Sequence, residues 1–198
     1  MTSGELRPDE HHDSERFADA VFDEAAAGNC LFLDCSFVNV SFRECRLRRC
    51  RFTDTTMREV RIVATDLAET TWQDVTLTGC ALAGVQAHSA QWRRVVFREG
   101  KLDSVNFRGG TFADVRFEDC LLPDADFSGA TLHRVSFGGC VLTGADFTQA
   151  TCTSVDLRGA SLGIAGGLGS LGGSTIDSVQ LLALAPQLAH HLGLTVAD

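Results

Sequence analysis

The side chains that could do covalent or metal chemistry in this 198-residue chain are eight cysteines and six histidines, and their spacing argues against both uses. Cys30 and Cys35, like Cys45 and Cys50, lie five residues apart, unlike the short ligand loops of zinc sites. The histidines fall in two tail pairs, His11 with His12 and His190 with His191, and singly at His88 and His133, with nothing to pair them with a nucleophile. The glycine-rich stretch after Leu162 lacks the GxxxxGK[ST] phosphate loop, and its glycines suit tight turns. No catalytic group, cofactor or metal is expected. The groups left to act are charges, and their chemistry is electrostatic: regularly spaced carboxylates can imitate DNA phosphates and compete for a basic groove.

What positions those charges is a period of five. All thirteen Phe and both Trp fall in one register modulo five, and leucines, Met57 and Ile62 fill it out to Leu162. Only Ala27, Ala87 and Cys152 are weak members among these thirty consecutive units, Phe17 to Leu162. Two residues before each large position sits a small one, as at Ala20, Cys30, Val40, Cys50 and Val60, and neither register holds a charge. Burying an unpaired charge is far more costly than losing a hydrogen bond, so these are two inward columns, and the other three positions face water. Seven cysteines (30, 35, 45, 50, 80, 120, 140) lie in the small column and Cys152 in the large one, which makes them small hydrophobes of the core. A period of five fits neither the roughly 3.6 of a helix nor the roughly 2 of a strand. It marks one backbone unit stacked repeatedly, a solenoid.

The hydrophobic share of 44% fits a single domain. No run of about eighteen apolar residues is present, so no membrane span is expected. The start, MTSGELRPDEHHDSERF, is acidic and lacks the apolar segment of a secretory signal, so a cytoplasmic location is expected. The formal net charge of -9 is segregated: residues 1–26 carry -6, residues 27–110 carry +3 and residues 111–198 carry -6. Arg43, Arg46, Arg48, Arg49, Arg51, Arg58 and Arg61 make the middle basic. Direct nucleic-acid binding there is not expected, because every Phe and Trp belongs to the core register and none is left to stack on a base.

ADFSG at 125–129, ADFTQ at 145–149 and VDLRG at 155–159 resemble the A(D/N)LxX motif of the pentapeptide repeat family, and CSFVN, VSFRE and VNFRG are near variants. The resemblance covers about three quarters of the chain. It implies an all-β solenoid, a right-handed quadrilateral parallel β-helix with four units, or twenty residues, per coil. Thirty units then make seven and a half coils, a rod on the order of 36 Å long. Residues twenty apart stack, so Asp34, Asp54 and Asp74 form one acidic ladder, continued by Arg94, Asp114 and Arg134, and Asn106, Asp126 and Asp146 form another. Stacked carboxylates repel. Turn-bonding by Asx side chains accounts for Asp66, Asn106, Asp126, Asp146 and Asp156, and less well for Asp34, Asp54 and Asp74.

The expected division is an acidic N-terminal tail (1–16), the repeat rod (17–162), a glycine-rich partial last coil (163–175) and an α-helical cap (176–198). In the cap, Val179, Leu181, Leu182, Leu184, Leu188 and Leu192 follow a helical pattern, with Pro186 expected to start a second short helix and Gly193 to suit its end. A solenoid must cover its last coil, yet more Leu is present than a lid needs, which predicts an interface. Uninterrupted coils with such a cap resemble the mycobacterial quinolone-resistance subgroup of the family. That resemblance implies a homodimer through the caps, with contacts at Leu181, Leu184, Leu188 and Leu192. It also implies a DNA mimic whose acidic surface, assigned to Asp114, Glu118, Asp119, Asp124, Asp126 and Asp146, occupies the DNA-binding saddle of DNA gyrase or topoisomerase IV and protects against quinolone-type poisons. The alternative is a general interaction scaffold that uses the arginine-rich middle.

Overall fold

The computed structural model describes residues 5–197. The chain winds as a parallel β-solenoid in which each short strand pairs with the strand twenty residues on. Along the first side His11–Asp13 pairs with Leu31–Leu33, which pairs with Arg51–Thr53, then Thr71–Gln73 and Gln91–Arg93. The second side aligns Phe17, Phe37, Met57, Leu77, Phe97, Phe117 and Phe137 in one column. The third aligns Phe22, Phe42, Ile62, Leu82 and Leu102. The fourth is held by single bridges, from Ala26 and Arg46 through Asp66, Gln86, Asn106 and Asp126 to Asp146 and Gly166. Four sides at five residues each give the twenty-residue coil, and eight rungs from His12 to Cys152 span roughly 34 Å.

Both inward columns are buried, and the rings stack rung upon rung. Phe32 lies 4.8 Å from Phe52, Phe52 lies 4.1 Å from Trp72, and Trp72 lies 4.9 Å from Trp92, all nearly parallel. Each large aromatic ring buried here contributes both hydrophobic area and a stacking preference. The four corners have their own rule. From Ser14 to Gly159 the residue two after each large inward position has a positive φ, between 46° and 76°. That left-handed conformation lets its N–H point along the rod to the next coil, as Asp34 N, Asp54 N and Asp74 N donate to Thr53 O, Gln73 O and Arg93 O at 3.0 to 3.1 Å. It is unfavourable for most side chains and best tolerated by Gly, Asn and Asp. The acids at 34, 54 and 74 therefore have a backbone reason for their positions.

Two expectations require correction. Most of the acidic stretch 1–16 is not a tail: residues 11–13 form the first strand, and the His12 ring stacks 4.9 Å above Phe32; residues 1–4 lie outside the described residues. The register was hidden because His12 and Glu15 stand where the pattern calls for apolar side chains. An end coil has a neighbour on one side only: the Glu15 side chain is half exposed, and the mostly buried His12 ring meets it through Nδ1 at 3.1 Å. The cap is also one helix, Ser178–His191, with Pro186 inside it rather than at the start of a second. Proline within a helix removes a hydrogen bond and typically costs about 3 kcal/mol. The helix runs through it because its first two turns are fixed by a capping box and by packing on the rod.

Four buried side-chain polar atoms among the described residues lack a hydrogen-bond partner, His12 Nε2, Trp92 Nε1, Ser128 Oγ and Ser174 Oγ, and the tryptophan has a ready comparison one rung away. Trp72 Nε1 donates to Thr70 Oγ1 at 2.9 Å, and that hydroxyl donates onward to Leu67 O at 2.7 Å. Trp92 occupies the next rung with Ala90 in place of the threonine, and its Nε1 has no partner among the described residues. An unsatisfied buried donor costs roughly 1 to 3 kcal/mol. Ala90→Thr should therefore raise the melting temperature and Thr70→Ala should lower it, measured by thermal denaturation; equal melting for Ala90→Thr and the parent would show that the Trp92 N–H is satisfied by solvent.

Candidate interaction surfaces

The thiols are inside. All eight cysteines are buried and unpaired, and several donate to a carbonyl of the coil below, Cys30 to Arg7 O at 3.0 Å and Cys50 to Ala27 O at 3.1 Å. Burial pushes the Cys50 thiol up to about 12 and the Cys80 thiol up to about 11, which keeps them protonated and unreactive near neutral pH. Among the described residues no three His, Cys, Asp or Glu side chains gather in a way that could hold a metal ion.

The acids serve the fold before they can serve a partner. On the fourth side Asp66, Asp126 and Asp146 each accept from the backbone N–H two residues on, at 3.0, 2.9 and 2.7 Å, and Asn106 and Asp156 do the same. At the corner between the first and second sides, Arg94 binds Asp74 through two bonds of 2.5 Å, and Arg134 binds Asp114 at 2.5 and 2.8 Å. These guanidinium contacts hold the Asp74 and Asp114 carboxyls below their ordinary range. Asp34 and Asp54 continue that corner without an arginine partner. Glu118 is shared by Arg98 and Arg116, and Asp126 is also bound by Arg108 at 2.6 Å.

The six acids expected to form one binding surface are consequently not together. Asp114 stands at the first corner, Glu118 on the second side, Asp119 and Asp124 at the next two corners, and Asp126 and Asp146 on the fourth side. A different row was missed. The corner between the second and third sides carries Asp19, Glu59, Glu99 and Asp119, all exposed and none ion-paired among the described residues, with Asn39 and Gly79 between them. The signal was available in the same twenty-residue spacing that revealed the other ladders.

The helix Ser178–His191 is apolar nearly all round and carries no Asp, Glu, Lys or Arg. Asp177 caps it, accepting from Gln180 N while the Gln180 side chain accepts from Asp177 N. The buried Gln180 amide then donates to Leu157 O and Ala160 O of the last coil at 2.5 and 2.7 Å. Leu184, only 3% exposed, and half-buried Leu188 face the rod, alongside Leu171 and Ile176. They lie over Leu171 and Ile176, which themselves pack against the core, and do not project outward, which corrects half of the expected dimer contacts. Leu181 and Leu192 do project, and the outer side is continued by Val179 and Leu182, the last 76% exposed. No helix among the described residues is long and apolar enough to cross a membrane.

Comparison with known proteins gives matches over most of the rod. A family described as a pentapeptide repeat region matches residues 27–107, and pentapeptide repeats of eight copies match 101–139 and 125–163. No match was found among curated proteins. Among solved structures the fold is similar to HetL, a pentapeptide repeat protein involved in heterocyst differentiation regulation in the cyanobacterium Nostoc. That pair has 16% identity and a TM-score of 0.50 over 87% of this chain and 92% of HetL. A trypsin-treated form of QnrB1, a plasmid-mediated fluoroquinolone resistance protein, aligns at 18% identity over 94% of this chain and 99% of its own, with a TM-score of 0.43.

Two outcomes follow from the geometry. Because Asp74 and Asp114 are lowered in the folded chain, the stability they add is present above the unfolded carboxyl value of about 3.9 and is lost as pH falls through the lowered folded value. Carboxyl NMR titration should place both midpoints below the ordinary aspartate value of about 3.9, and Arg94→Gln should return Asp74 toward it. Leu184→Ala should destabilise the cap by about 2 to 5 kcal/mol, read by denaturant unfolding.

Proposed function

The chain belongs to the pentapeptide repeat family, and from that premise we propose that it acts as a non-enzymatic protein-binding rod, joined to a second copy through the outer side of its C-terminal helix. The observation that carries this reading is the exposure of Val179, Leu181 and Leu182 on a helix without a single formal charge, and of Leu192 just past its end. A helix that is apolar on every side is normally covered on every side. The rod covers one side through Leu184 and Leu188, and a two-fold partner covers the other with the same residues.

The sharper form of the proposal is that the paired rod is a DNA mimic that binds DNA gyrase or topoisomerase IV and protects it from quinolone-type poisons. It is supported by the net charge of -9 and by the unpaired acidic corner Asp19, Glu59, Glu99 and Asp119, which runs along most of the rod. Neighbouring members of that row stand one or two rungs apart, about 5 or 10 Å. The ion-paired Asp74, Asp114, Glu118 and Asp126 contribute less to such a surface, since their charge is already met by arginine.

Each layer has its own measurement. Sedimentation equilibrium should give twice the chain mass for the parent and the single-chain mass for Leu182→Asp; a parent that sediments as one chain overturns the dimer. In a gyrase supercoiling assay, changing Asp19, Glu59, Glu99 and Asp119 to their amides should weaken inhibition at least about tenfold, and added salt should weaken the parent in the same direction. No inhibition by the parent well above micromolar removes the topoisomerase reading and leaves the protein-binding rod.

A further inference from the structure

The second side of the rod carries a feature that acidic mimicry does not use. A shallow groove there, about 520 Å³, is lined by Arg16, Arg58 and Arg98, with the hydroxyls of Ser36, Thr56, Thr76 and Thr78 between them. Several arginines of this rod meet an acid twenty residues away, Arg49 with Glu69, Arg94 with Asp74 and Arg134 with Asp114, and within the groove Arg98 meets Glu118. Arg16 and Arg58 are different. The rung neighbour of Arg16 is Ser36, and those of Arg58 are Val38 and Thr78, so no acid stands where the repeat would supply one. Both are exposed, and neither forms an ion pair among the described residues.

We infer that this groove is a docking site for an extended acidic peptide segment of a partner protein. Arginine forks and hydroxyls together are the donors that carboxylates take, and the guanidinium geometry favours two parallel bonds to each. Arg16 and Arg58 stand two rungs apart, roughly 10 Å, a gap that the long arginine side chains can close onto two carboxylates of one peptide face, which stand roughly 7 Å apart at every second residue of an extended strand. The groove is also narrow in charge. Asp34 and Asp54 border it along one corner, and Asp19, Glu59 and Glu99 along the other. A broad polyanion such as a nucleic-acid strand would meet those acidic rims along both margins. A single peptide strand can turn its carboxylates down to the arginines and its neutral or basic side chains out to the rims.

The test uses the intact protein and a short fluorescein-labelled peptide of alternating glutamate and glycine, followed by anisotropy. Saturable binding is expected, weakened at least tenfold in Arg16→Gln/Arg58→Gln and by less than twofold in Arg43→Gln/Arg46→Gln, whose arginines are also exposed and unpaired but lie on the third and fourth sides. Unchanged melting temperatures keep the comparison a test of binding. Absence of saturable binding, or equal loss in both double variants, overturns the site. Tighter binding of an oligothymidylate with the same dependence on Arg16 and Arg58 overturns the peptide as its occupant. Leu182→Asp should leave the titration unchanged, so this site and the dimer stand or fall separately.

Discussion

The structure depends on one contact repeated: a residue meets its counterpart twenty positions on. Backbone N–H and C=O groups join successive coils at the corners and along the strands, and the same spacing sets ring on ring in the core and charge on charge outside. Coils contact only their neighbours, so stability accumulates rung by rung in the manner of other repeat proteins. No side chain can be altered without being read by the residues directly above and below it. Surface chemistry on this rod is consequently a property of columns, and a charge has meaning only together with its two rung neighbours.

That dependence explains how much of the molecule the sequence disclosed. The inward columns were legible because exclusion of charge over thirty units has no other physical cause, and Phe32, Phe52 and Trp72 stack where the period puts them. The first coil was not legible, since His12 and Glu15 break the rule at an end where the rule is relaxed. The cap was half legible: apolar spacing gave a helix, but it could not say which leucines turn inward, because both sides of the helix are apolar. Gln180 was invisible as a structural residue, although its two bonds to the last coil fix which side faces the rod.

The charged surface shows the same division. Counting charge along the chain gave acidic ends and a basic middle, yet the chain wraps once every twenty residues, so neighbours in sequence are dispersed to four sides. Asp126 and Asp146, which looked like a binding ladder, are partly occupied in closing their own turns, and Asp74 and Asp114 are matched by arginine. Around the second side the unmatched charges have a definite arrangement: acids on the corners at both margins and Arg16 and Arg58 between them. Unmatched charges of opposite sign thus sit side by side across the second side of the rod.

The two ends of the rod are built differently, and this has a mechanical consequence. The helix is tied to the last coil by Gln180 and Leu184, whereas among the described residues the first coil contacts the second coil and is covered by the buried side chain of Leu6. Under tension the weakest link in a chain of nearest-neighbour contacts is the one with fewest partners. A pull applied between the ends therefore peels the rod from its N-terminal side, one twenty-residue turn at a time, and each turn lost exposes an equivalent edge. The molecule is a spool with a fixed end and a free end, and it pays out in one direction.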